Sequence, residues 1–147
     1  MKKTFTLRNI LTGTGILALF VVVLSSCSRR AYYGGDDIDY WMSKENGYVV
    51  YADTYCPYIV VETFNGYTII RQTGGRVPFE GDEVFGDLSR RGYRDFYNYM
   101  DNSIFRGEVT DYWLSYGEAQ YVIDNLCYTY GRGGEKKQIK QGLYKKR

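Results

Sequence analysis

Runs of β-branched and aromatic residues, broken by short polar turns, dominate residues 48–112. Residues 48–53 (Tyr-Val-Val-Tyr-Ala-Asp), 58–64 (Tyr-Ile-Val-Val-Glu-Thr-Phe) and 67–73 (Tyr-Thr-Ile-Ile-Arg-Gln-Thr) each read as a strand. Asn65-Gly66 separates the last two, and that dipeptide favours a two-residue hairpin turn. Such a turn pairs Phe64 with Tyr67, Glu62 with Ile69 and Val60 with Arg71. Glu62 and Arg71 then share one face, while Ile59, Val61 and Ile70 share the other, the expected core side. Beyond Gly74-Gly75, residues 84–88, 93–99 and 104–112 supply three more strands, with turn residues at 89–92 and 100–103. Ser115 and Glu118 have the spacing of a capping box, and Ala119, Val122, Ile123 and Leu126 follow at helical spacing. The pattern predicts a mainly β fold, a small antiparallel barrel or sandwich of about five to six strands. One short C-terminal helix over 116–127 completes it.

The first residues follow a different rule. Lys2, Lys3 and Arg8 precede nine uninterrupted apolar residues, 16–24, and Leu24-Ser25-Ser26-Cys27 closes the run with small side chains. This is the layout of a secretory signal peptide over 1–26. The alternative, an uncleaved spanning helix over 10–26, contains Gly13 and Gly15 and sits at the short end of the spanning range. It would also place Arg29 and Arg30 on the far side, against the positive-inside bias. Leu24-Ser25-Ser26-Cys27 resembles the lipobox of bacterial lipoproteins. The resemblance implies cleavage before Cys27 and acyl chains on that residue, with two or more chains anchoring stably. Residues 27–39 then form a lipidated tether. Ser28, directly after the cysteine, implies the outer membrane, with the periplasmic face preferred over the cell surface.

Charge divides the rest. Residues 36–124 carry seven basic against sixteen acidic residues, whereas 132–147 carry seven basic residues and only Glu135. An acidic β-rich domain over 40–130 therefore precedes a flexible basic tail over 131–147. Arg132, Lys136, Lys137, Lys140, Lys145, Lys146 and Arg147 make the tail a candidate for anionic lipid, lipopolysaccharide or the domain's own acidic face. Export sets nucleic acid aside as a partner.

The chain has seventeen Tyr and no His. Without His there is no Ser-His-Asp triad, no Cys-His pair and no His-ligated zinc. No pattern calls for a cofactor. Cys56 and Cys127 remain once Cys27 is assigned to lipid, an even number for an oxidising compartment. They form either a disulfide or two separate buried thiols. Glu80, Asp82, Glu83 and Asp87 cluster within eight residues, as do Asp36, Asp37 and Asp39 within four. Paired carboxylates can hydrolyse glycosidic bonds at set separations, but neighbours on a turn more commonly serve as solvated turn residues. Tyr40-Trp41 and Tyr112-Trp113 are candidate binding aromatics, because such rings suit both sugar faces and protein partners.

Residues 78–99, with their Gly81-Asp82 and Gly86-Asp87 turns, are similar to small OB-like or SH3-like barrels and to small envelope lipoproteins of Bacteroidetes. The resemblance carries no activity with it. The sequence favours a non-enzymatic, lipid-anchored envelope protein that binds a glycan or serves an envelope protein as accessory. A polysaccharide-acting enzyme using the carboxylates of 80–87 and a purely structural spacer are the alternatives.

Overall fold

A computed structural model describes residues 35–128 and 136–144. The export segment 1–26, Cys27 and 28–34 lie outside the described residues, as do 129–135 and 145–147. Six strands, β1 (Glu45–Asp53), β2 (Cys56–Thr63), β3 (Gly66–Gly75), β4 (Glu83–Gly86), β5 (Gly92–Asn98) and β6 (Ser103–Leu114), are flanked by helices α1 (Gly35–Met42) and α2 (Tyr116–Tyr128). The strands close in the order β1-β2-β3-β6-β5-β4, every neighbour antiparallel. The fold is therefore a closed barrel rather than a sandwich.

Antiparallel closure sorts the connections onto two ends. One end gathers the start of β1, the β2–β3 turn, the β4–β5 loop and the end of β6. The opposite end gathers the β1–β2 turn, the β3–β4 loop and the β5–β6 turn.

Val49, Ile59, Val61, Ile70, Phe96 and Phe105 fill the interior with Val84, Leu88 and Val109. The Phe96 and Phe105 rings stack 5.2 Å apart. Gly86 leaves room for the pair, since a Cβ there would lie 2.5 Å from Phe96 Cδ1. Thr68 is buried and donates to the Leu88 carbonyl at 3.1 Å, so its hydroxyl stays satisfied.

The β2–β3 hairpin differs from the predicted register. Thr63 pairs with Gly66, Glu62 with Tyr67 and Val60 with Ile69, so the turn is Phe64-Asn65 and the glycine begins β3. The reason lies across the sheet. Gly66 has φ +125°, and a side chain there would lie 2.6 Å from the Leu114 carbonyl oxygen of β6. The shift changes each partner by two residues, which preserves the faces. Ile59, Val61 and Ile70 do point into the barrel, with Glu62 and Arg71 on the outside.

The outer face is buried as well. Val50, Tyr51, Val60 and Ile69 pack under Ala119 and Ile123 of α2 and under Ile139. Ile139 belongs to the segment expected to be a flexible tail, and residues 136–144 instead lie along the barrel. The Lys140 NH donates to the Val50 carbonyl at 3.0 Å. Val50 is the extra residue where the β1–β2 register shifts between Val49 and Tyr51, so its carbonyl is free to turn outward. Glu62 accepts the backbone NH groups of Gly142, Leu143 and Tyr144 at 3.1, 2.7 and 3.0 Å. A single carboxylate thus satisfies three consecutive amides. The tether is also shorter than expected, because residues 35–39 open α1.

The Ser115–Glu118 box caps α2. The Ser115 NH and hydroxyl donate to Glu118 Oε2 at 2.8 and 2.7 Å, and the Glu118 NH donates back to Ser115 Oγ at 3.4 Å. Those bonds hold the Glu118 carboxyl below the usual carboxylate range. Cys127 at the other end of α2 is bonded to Cys56 at the start of β2, with Cα atoms 5.4 Å apart.

Candidate functional site

Both candidate aromatic pairs come to one side of the molecule, and a polar cleft lies between them. Tyr112 and Trp113 sit where three steps along β6, from Asp111 to Leu114, match two along β3, from Ile69 to Tyr67. Bulges of this kind re-aim side chains. Tyr112 packs against the barrel interior, while Trp113 turns out with φ 59° and is 58% exposed. A Trp in the left-handed region is a backbone outlier. Its Nε1–H donates to Ser89 Oγ at 2.9 Å, which fixes the indole's direction.

Ser89 lines a cleft of about 480 Å³ with Ser43, Lys44, Glu45, Asp87 and Arg90. Lys44 and Asp87 form an ion pair at 3.2 Å. The same two residues line an adjoining recess of about 290 Å³ together with Tyr40, Trp41, Arg94 and Asp95. Trp41 stacks on Tyr97 with centroids 6.1 Å apart, and Tyr40 stands edge-on to Trp41 at 5.3 Å. The Lys44 ammonium lies 5.0 Å from the Tyr40 ring centre. The bonds to Asp87 and Tyr40 hold Lys44 protonated above its ordinary value. The side chains therefore run aromatic, charged, hydroxyl, aromatic along this face, with donors and acceptors interspersed.

Each of the carboxylates of 80–87 has structural partners of its own. Glu80 meets Lys137 at 2.6 Å and Lys140 at 2.8 Å and accepts the Ala52 NH at 3.2 Å. Burial pushes its carboxyl up, but the three bonds outweigh burial and leave it below the usual range. Asp82 accepts from the Phe79 NH at 2.9 Å and from buried Asn98 at 2.7 Å. Glu83 accepts from Asn46 at 2.8 Å, and Asp87 faces Lys44. Each carboxylate thus fastens a separate piece of the fold. Among the described residues no group of three or more Cys, Asp or Glu is placed to hold a metal.

Three of the tail's cations are likewise engaged by the body. Lys136 meets Asp124 at 3.3 Å, while Lys137 and Lys140 meet Glu80. The remaining tail cations, Arg132, Lys145, Lys146 and Arg147, lie outside the described residues, as does the expected lipidation site Cys27. Among the described residues no helix is long and apolar enough to cross a membrane.

Sequence reasoning singled out the aromatics and Asp87 but missed Ser89, Lys44 and Arg90, which complete the cleft. The turn composition of 89–92 was visible, whereas its approach to Trp113 depends on the β6 bulge. Glu62 was also missed as the clamp on 142–144, although a lone carboxylate inside an apolar strand is a usable signal. No protein-family model, curated protein or solved structure matches the chain, and the cleft is interpreted from its own geometry.

Proposed function

We propose that the protein is a non-enzymatic, lipid-anchored binding module of the bacterial cell envelope whose ligand is a glycan. Trp113 carries this reading. An exposed indole on a strained backbone, hydrogen-bonded into the wall of a polar cleft, is an expensive arrangement for packing alone. It suits a ring to be stacked on one face and hydrogen-bonded at its edges. Tyr40 and Trp41 offer a second aromatic surface beyond the Lys44–Asp87 pair. The spread of donors and acceptors between them fits hydroxyl-rich ligands better than an apolar protein surface.

The test is binding of the full-length, detergent-solubilised protein to peptidoglycan fragments and lipopolysaccharide oligosaccharides. Trp113→Ala and Tyr40→Ala should each weaken binding at least about 5-fold, the scale of an anchor residue at an interface. Tyr121→Ala, on exposed α2 away from the cleft, should leave it unchanged. Failure of the native protein to bind any of these glycans, or equal losses in all three variants, would refute the reading. A stoichiometric protein companion whose retention depends on Trp113 would replace the glycan with a protein ligand.

A further inference from the structure

The end of the barrel opposite Trp113 has a different surface. Tyr55 of the β1–β2 turn, Val77 and Phe79 of the β3–β4 loop, and Tyr99 and Met100 of the β5–β6 turn are all exposed there, Phe79 by 64% and Met100 by 65%. Three separate loops thus place large apolar side chains on one rim. A recess of about 590 Å³ opens beside it, with Ala52, Pro57, Val77 and Phe79 among its walls. The charges nearest the rim already have partners. Arg76 meets Asp101 at 3.5 Å, bridging two of the loops, and Asp53 accepts the Tyr55 NH at 2.8 Å. At the other end, exposed Met42, Phe64 and Trp113 are interspersed with Asp87, Ser89, Arg90 and Arg91 of the β4–β5 loop. Contiguous apolar patches bordered by polar groups mark contacts with proteins or membranes.

The chain between anchor and fold favours the membrane. Only seven residues, 28–34, separate Cys27 from the start of α1. Fully extended they span at most about 25 Å. A lipid held on Cys27 therefore keeps the barrel within a few tens of ångströms of the headgroups, close enough for one face to dock. The rim of Tyr55, Val77, Phe79, Tyr99 and Met100 gathers exposed apolar side chains from three loops around the Arg76–Asp101 pair. Tyr in particular favours the membrane interface, where its ring is buried and its hydroxyl hydrated.

We propose that this rim dips into the lipid interface and docks the barrel on the membrane, turning the Trp113 cleft away from it. The proposal rests on the acyl anchor read at Cys27. Both are tested on one sample: full-length protein purified from the native envelope and reconstituted in phosphatidylethanolamine–phosphatidylglycerol vesicles. With Cys27 acylated and Cys56–Cys127 closed, a cysteine introduced as Phe79→Cys, Met100→Cys or Arg90→Cys is the one thiol open to an environment-sensitive dye. Intact mass reports the acyl chains. Dyes at 79 and 100 should shift to the blue and be quenched severalfold by lipids carrying a spin label near the headgroup. The dye at 90 should do neither. An acylated protein whose dyes at 79 and 100 stay as water-exposed as the one at 90 overturns the docked rim while keeping the anchor. Such a result would leave that end to a protein partner. A mass without acyl chains overturns the anchor, and the rim's lipid contact with it.

Discussion

Trp113 combines a left-handed backbone with an indole left largely in solvent. For a residue with a Cβ that backbone costs about 1–2 kcal/mol, and an exposed ring recovers little of it. Glycine adopts the same φ without the steric penalty, although it loses more entropy on folding. Trp113→Gly should therefore raise the unfolding free energy by up to about 1 kcal/mol in urea denaturation while abolishing glycan binding. A variant that loses stability instead would mean that the indole supports the fold. The aromatic pair itself was legible from sequence. Its divergence, Tyr112 inward and Trp113 outward, was not, because strict alternation along β6 says nothing about where a bulge falls.

Among the elements, those governed by local chemistry were the most readable. The Ser115–Glu118 box depends on two residues three apart, and its bonds form as the spacing predicts. The β2–β3 hairpin shows the limit. Asn65-Gly66 pointed to a turn in the right place, but the register is set by the packing of Gly66 against Leu114, a contact some fifty residues away in sequence. The outer layer was missed for a similar reason. Continuous apolar runs such as Ile59-Val60-Val61 and Ile69-Ile70 signal strands buried on both faces, yet the glycine- and lysine-rich covering segment read as a flexible tail. The Cys56–Cys127 link joins a strand to a helix across 71 residues. Closing a loop of that length removes about 4 kcal/mol of chain entropy from the unfolded state. Cys127→Ser should lower stability by about that amount, a large share for a domain this small. Thermal unfolding with and without reductant checks it, since reductant should leave the variant's transition unchanged.

For the molecule as a whole, the opposition between an acidic body and a basic C-terminal segment works inside the fold. Residues 136–144 are fastened by Glu80 through Lys137 and Lys140, by Glu62 through backbone amides, and by buried Ile139. Burying a side chain of that size contributes about 2 kcal/mol. The Glu80 carboxyl lies lower in the folded protein than its ordinary 4.5. Its contribution is therefore complete above about that pH and is lost as pH falls through the lower folded value. Acidification below 4.5 should loosen the segment from Val50, Tyr51 and Val60, which dye binding to exposed apolar surface would register. Glu80→Gln should reduce the acid-dependent part of that change and weaken the segment's hold at neutral pH. An unchanged acid profile in that variant would place the switch elsewhere. The charge asymmetry was plain in the sequence. The domain's own acidic face was one candidate destination, but composition alone does not show which carboxylates face which lysines.

Closure of the sheet has one more consequence. Where β4 stops short of the full length of β1, the Val49 NH and carbonyl bond to Asp82 and Gly81, and the Val50 carbonyl takes the Lys140 NH. A neighbouring chain therefore meets no open row of backbone donors and acceptors along this seam. Adding a strand from a partner is closed off as a mode of recognition there, and so is the edge-to-edge stacking that seeds aggregates. Along this seam a binding partner must engage side chains rather than the backbone.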